Sequence, residues 1–286
     1  MKAKEILTTA IWALLCTHGV MANPDAYLRY NMFVENGAGG FQSDTTADVA
    51  PLKGALGDDD AAGWADVEYG VAGVGAYAQY RVGASGIDQV AGMCMSTVWW
   101  EDTVTIDANG HTGTPGTAPC ALTITGRAAT YIAPEYADAM SAMAMFTTSV
   151  DVVTTAGIKR IGSAGATWHD GESSGSDPVL TTMDLEIPFT FGEPFQLLVR
   201  TFTSAYTGSL YPPPEGAGVK AWASIDLSGC AAWGGISEVI DEQGAAVCEP
   251  VILSVTGADY GQPIPEPATL TFFALAALAI IRPKRS

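Results

Sequence analysis

Apolar and polar positions alternate through the middle and late parts of the chain. Val98, Trp100, Val104 and Ile106 share one parity, while Trp99, Glu101, Thr103 and Thr105 share the other. This is the period-two pattern of a strand with one face in a core, and Asp102 is the misfit among the inward positions. The Asp107-Ala108-Asn109-Gly110 segment then reads as a turn. Further strands are expected over 121–125, 146–154, 180–191 and 195–204. Later, Val219, Ala221, Ala223, Ile225 and Leu227 alternate with Lys220, Trp222, Ser224, Asp226 and Ser228, and 247–255 is expected to pair with that run. Turn clusters at 110–119, 162–177 and Tyr211-Pro212-Pro213-Pro214-Glu215-Gly216 punctuate these runs. Many short strands separated by Gly, Thr and Pro favour a mainly β fold, an antiparallel β-sandwich or jelly roll. The stretch 135–145, rich in Ala and Met, fits a helix, although alternation explains it too. No tandem repeat is present, and a β-helix would require one. The loop 162–177 is the best candidate boundary in a body that otherwise shows no linker.

The two ends of the chain differ from this body. Met1-Lys2-Ala3-Lys4 gives a positive start, residues 6–16 an apolar run, and Val20-Met21-Ala22 small residues where a signal peptidase cuts. A signal peptide over 1–22 and a mature chain from Asn23 are therefore expected. Leu15 before Cys16 argues against lipidation. At the other end stand Pro265-Glu266-Pro267, an uncharged stretch over 268–281 and a basic Arg282-Pro283-Lys284-Arg285-Ser286. Two prolines hold the chain extended up to the apolar stretch. A helix over 268–281 would be about 21 Å long, short of the roughly 30 Å hydrocarbon core. Arg282, Lys284 and Arg285 would stay on the cytoplasmic side.

This tail resembles the PEP-CTERM signal carried by exported proteins of Gram-negative bacteria that make extracellular polysaccharide. The resemblance implies that an exosortase recognises Pro265, Glu266 and Pro267 within a tail at 263–286. It also implies transient insertion in the inner membrane, then passage to the cell surface or extracellular matrix, in association with exopolysaccharide or biofilm. More loosely, Glu101-Asp102-Thr103-Val104-Thr105-Ile106 with 112–117 and 122–126, and Phe191-Gly192-Glu193-Pro194-Phe195-Gln196-Leu197, are similar to segments of PEP-CTERM bodies. That likeness implies a β-sandwich over 23–262 and identifies no catalytic residue.

Charge narrows the partners. The whole chain carries 13 Lys and Arg against 31 Asp and Glu. Setting aside Lys2, Lys4, Glu5, Glu266, Arg282, Lys284 and Arg285 leaves 8 against 29 over 23–264, a net charge of −21. Such a body repels phosphate backbones, which argues against nucleic acid, and suits divalent cations. Gly57-Asp58-Asp59-Asp60 and Asp107-Ala108-Asn109-Gly110 place hard oxygen ligands on loops, making Asp58, Asp59, Asp60, Asp107 and Asn109 calcium candidates, although neither segment has EF-hand spacing. Their bland reading is a solvated acidic turn. Cys94, Cys120, Cys230 and Cys248 remain after export. An even number implies disulfides, with the sequence-local pairs Cys94–Cys120 and Cys230–Cys248 preferred among three connectivities. A zinc site is disfavoured because no Cys-x-x-Cys occurs.

Catalytic motifs are scarce. Gly171-Glu172-Ser173-Ser174-Gly175 satisfies G-x-S-x-G but lacks the strand before it, the helix after it and a downstream histidine. His111 and His169 precede Ser173 without a supporting motif, and paired carboxylates are decided only by distance in space. Aromatic rings offer the more plausible surface. Trp64, Trp99, Trp168, Trp222 and Trp233 are spread through the body, and Trp99, Trp168 and Trp222 fall on polar-parity or loop positions where a ring can stack on a sugar. The competing reading is burial, since tryptophan covers much apolar area. The residues thus leave three expectations: a non-enzymatic surface or matrix protein, a carbohydrate-binding module or adhesin, and a secreted hydrolase. Clustering of exposed tryptophans on one face would favour the second.

Overall fold

The computed structural model describes residues 26–36, 40–48, 50–82, 89–169, 177–209 and 218–263. Expectations for the signal peptide at 1–22, the sorting residues Pro265, Glu266, Pro267, Arg282, Lys284 and Arg285, the helix at 268–281 and Ser173 lie outside the described residues. In chain order the strands are β1 Tyr27–Asn36, β2 Gly40–Asp48, β3 Leu52–Gly57, β4 Ala61–Glu68, β5 Val71–Val82, β6 Gln89–Val90, β7 Met93–Asp107 and β8 Pro115–Ile132. They continue as β9 Met140–Thr154, β10 Gly157–His169, β11 Asp177–Thr190, β12 Pro194–Ser209, β13 Gly218–Ile236, β14 Ile240–Asp241 and β15 Val251–Ser254.

Two antiparallel sheets result, as the mainly β expectation requires. One runs β10-β9-β12-β7-β1-β2, with β15 also on β7; the other runs β11-β8-β13-β5-β4-β3, with β14 on β8 and β6 on β5. Alternation puts Leu28, Met32, Val98, Trp100, Phe146, Val150, Leu197 and Val199 of the first sheet into one core with Val67, Val74, Leu122, Ile124, Ile225 and Leu227 of the second. The sheets thus share a single apolar layer, the natural solution for strands with one hydrophobic face.

Asp102 points into that layer and is fully buried. Its Oδ2 accepts from Ser254 Oγ at 2.6 Å, Thr256 Oγ1 at 2.6 Å and Tyr260 Oη at 2.9 Å. A buried carboxylate is tolerated when hydroxyls meet it in this way. Tyr260 stacks on Trp100 with centroids 5.8 Å apart and meets Trp233 edge-on at 5.5 Å. Trp233 Nε1 donates to the Tyr260 carbonyl at 3.1 Å. The misfit residue is therefore the anchor of the segment that leads to the tail.

Four expectations need correction. Residues 135–145 are not helical: one 3₁₀ turn, Pro134–Tyr136, precedes β9, in which Met140, Ala142, Ala144 and Phe146 face the core. Burial on one face outweighs the helix preference of Ala and Met. The candidate loop at 162–177 is strand over its first half, where β10 pairs with β9 from Gly157 to His169, and 170–176 lie outside the described residues. The segment 247–255 joins β7 rather than β13, with Val251 opposite Asp107 and Ser254 opposite Val104. Finally, the Cys94–Cys120 bridge does not form, because both thiols are free and buried. Cys94 opens β7 in one sheet, whereas Cys120 sits near the start of β8 in the other, beyond the turn that ends β7. Several residues of strand rise, about 3.3 Å each, separate their levels, far beyond disulfide reach. Cys248 is an exposed free thiol, and the side chain of Cys230, its expected partner, lies outside the described residues.

Candidate ligand-binding face

The outer face of the eight-stranded sheet gathers rings that lie far apart in sequence. On β4, Ala62, Trp64 and Asp66 point outward, between the inward Ala61, Ala65 and Val67. Trp64 stands directly opposite Gly75 of β5. A Cβ on Gly75 would strike the indole Nε1, with Cε2 at 2.6 Å and Cδ1 at 2.8 Å. The ring therefore occupies the space that any side chain at 75 would take, and it lies against bare backbone. Next outward on β5 is Tyr77, then Gln79, which pairs with Trp222 of β13. Trp222 in turn pairs with Tyr131 of β8, and the two rings stack with centroids 6.1 Å apart and 22° between planes. Trp64, Tyr77, Trp222 and Tyr131 are all partly exposed. Strand geometry spreads them over about 13 Å along the strands and about 14 Å across them.

Polar groups frame these rings. A depression of about 580 Å³ is lined by Trp64, Tyr77, Asp58, Asp59, Ser224 and Asp226, among others. Tyr77 Oη donates to Gln79 Oε1 at 2.8 Å, Gln79 Nε2 donates to Asp60 Oδ1 at 2.8 Å, and Arg81 Nη2 donates to Asp60 Oδ2 at 2.9 Å. This chain fixes the amide between the two pairs of rings. Burial, reinforced by Asp60 and Asp59, raises the Tyr77 phenol above its ordinary value and keeps it a neutral donor. A groove of about 650 Å³ elsewhere, bounded by Cys120, Lys159, Arg160, Asp184 and Glu186, contains no aromatic ring.

The outer face of the seven-stranded sheet is different. Trp99 is 2% exposed and is not a free ring. Arg29 of β1 and Arg200 of β12 are its cross-strand neighbours, and their guanidinium carbons lie 4.8 Å and 5.9 Å from its centroid. Trp168 is corrected too: it faces inward from β10, packed on the core with Phe146 at 6.1 Å. Of the three tryptophans singled out, only Trp222 sits on the aromatic face. Trp64, Tyr77 and Tyr131 were missed there, and outward parity on β4, β5 and β8 was the signal that could have found them.

The acidic turns are used within the fold. Asp58 Oδ1 accepts the backbone N–H groups of Asp60 and Ala61, and Asp60 is held by Gln79 and Arg81. Asp107 Oδ1 accepts from the Ala108 N–H at 2.9 Å and Thr112 Oγ1 at 2.9 Å, while Asn109 and Asp59 remain exposed. Among the described residues no group of three His, Cys, Asp or Glu is placed to hold a metal. His111 and His169 lie at opposite ends of the seven-stranded sheet: His111 follows β7 and packs on Phe191, while His169 pairs with Met143 at the level of Tyr206 and Met93. No family model, curated protein or solved structure matches this chain.

Proposed function

We propose that the protein is an exported, non-enzymatic surface or matrix protein whose β body holds a neutral polysaccharide on the outer face of the eight-stranded sheet. In this reading signal peptidase removes 1–22, and an exosortase handles the PEP-CTERM-like tail through Pro265, Glu266 and Pro267. The body then remains at the surface, associated with exopolysaccharide.

The observation that carries the binding reading is Trp64 lying against Gly75 on the face that also bears Tyr77, Trp222 and Tyr131. A sugar ring presents an apolar C–H face to the electron-rich face of an indole or phenol, while its hydroxyls seek acceptors. Asp59, Ser224 and Asp226 supply acceptors beside Trp64. Their negative charge favours a neutral chain over an acidic one. Exposed rings on an open sheet suit a chain that runs past the protein rather than a small molecule enclosed in a cleft.

Affinity electrophoresis of the full chain through gels containing soluble neutral polysaccharides of different linkage tests this reading. Retardation of the native protein and its loss on combined Trp64→Ala and Trp222→Ala substitution is the expected result. Equal mobility of the two proteins in every gel overturns it. The sorting reading is tested separately: in a host without exosortase the full chain fractionates with membranes, and a chain lacking 265–286 is secreted freely.

A further inference from the structure

We propose that the outer face of the seven-stranded sheet holds a second ligand, the carboxylate of an acidic sugar, clamped by Arg29 and Arg200 over Trp99. Acids outnumber bases by 29 to 8 over 23–264, yet three of those bases, Arg29, Arg160 and Arg200, stand on this face. The row Arg29, Trp99, Arg200 crosses β1, β7 and β12, and the next row carries Tyr27, Glu101, Leu198, Asp151 and Arg160.

The acids of that second row are already engaged. Arg160 donates to both oxygens of Asp151, at 2.8 Å and 3.2 Å. Glu101 is 5% exposed and takes the Tyr27 hydroxyl, with only Coulombic help from Arg200. Among the described residues neither Arg29 nor Arg200 joins an ion pair, and the Nε of each is buried without a hydrogen-bond partner. Burial holds the Arg200 guanidinium below its ordinary value; Asp151 opposes that effect, and Arg160 and Arg29 add to it by repulsion. Two cations are thus held beside one ring with unmet donors and an excess of one positive charge in the cluster.

The charge and the planar donors of the arginine pair select the occupant. A guanidinium fork matches a planar carboxylate through two parallel N–H···O bonds. One surplus charge calls for a monoanion. The adjoining row offers Asn31 and Thr147, with Thr45 bonded to Asn31 at 3.2 Å, which are neutral groups suited to sugar hydroxyls. A second copy of this body, at −21, would be repelled. This site is independent of the aromatic face and of the tail.

The test uses the full chain and three soluble probes: oligogalacturonate, its methyl ester and poly-glutamate, titrated at low and high salt. Binding of oligogalacturonate that weakens with salt, and loss of at least about tenfold in affinity on esterification, are expected. Arg29→Gln with Arg200→Gln should abolish that binding, and Arg29→Lys with Arg200→Lys should restore only part of it, with retardation by neutral polysaccharide unchanged. Equal binding of the ester overturns the proposal even if the variants do not fold. Binding of poly-glutamate in preference to oligogalacturonate overturns the sugar as its source.

Discussion

Trp64 and Trp99 begin from equivalent positions, each outward on a strand whose other face is buried, and they end in opposite environments. Trp64 faces Gly75 across the strand pair, so its ring settles on backbone and stays partly open to solvent. Trp99 faces Arg29 on one side and Arg200 on the other, and only 2% of it is exposed. Strand parity decides which side of a sheet a ring takes; the cross-strand neighbour decides whether that ring is a surface or a floor. One face thereby offers aromatic planes among carboxylates, and the other offers cations above a covered ring.

Removing each ring gives the widest separation between the two faces. Trp99→Ala strips a buried indole and leaves two guanidiniums without their support, so a loss of about 3 to 5 kcal/mol in unfolding free energy is expected by denaturant titration. Trp64→Ala should cost far less stability, because its ring is partly exposed. Equal destabilisation by the two substitutions would break the comparison.

Binding should show the reverse order. Combined Trp64→Ala and Trp222→Ala is expected to lower affinity for the retarding neutral polysaccharide about thirtyfold, near 2 kcal/mol for two stacking rings. Trp222 belongs to a pair with Tyr131, so its single removal should hurt less than that of Trp64. Titration calorimetry on the folded variants checks both magnitudes. An affinity unchanged by the double substitution would leave the aromatic face with packing as its only role.

How much of this was readable from the residues depends on the range of the contacts involved. The strand 98–106 and the alternation after 219 are local patterns, and both appear where they were expected. β5 was silent because Gly73 and Gly75 interrupt its pattern with residues of poor strand preference. Gly75 nevertheless sets the Trp64 ring, through a register that no local pattern contains. Asp102 looked like an error in its strand, and its partners lie more than 150 residues further along the chain. Pairing cysteines by nearness in sequence failed for a related reason: consecutive strands β7 and β8 enter different sheets.

Gly75→Ala tests the same comparison without deleting a ring. The new methyl group would strike the indole and lift it from the sheet, at about 1 kcal/mol, the low end for overpacking because the ring can move toward solvent. Affinity for the neutral polysaccharide should drop by less than in Trp64→Ala, and oligogalacturonate binding should not change. A stability loss with unaltered affinity would show that ring height above the backbone does not matter.

Tyr77→Phe is the mildest change, and it separates rings from hydrogen bonds. The phenol donates to Gln79, which donates to Asp60, which is also held by Arg81. Deleting the hydroxyl leaves one acceptor of a nearly buried amide unmet, at about 0.5 to 1 kcal/mol of stability, while the aromatic plane stays. Affinity should therefore fall only about twofold, through a looser Gln79 between Tyr77 and Trp222. Because burial and the nearby carboxylates raise the Tyr77 phenol, this small effect should be constant across the neutral pH range. A loss as large as that of Trp64→Ala would mean that the amide network, rather than the exposed planes, recognises the ligand. The contrast with Trp99 would then disappear, since both faces would bind through ordered polar groups supported by aromatic floors.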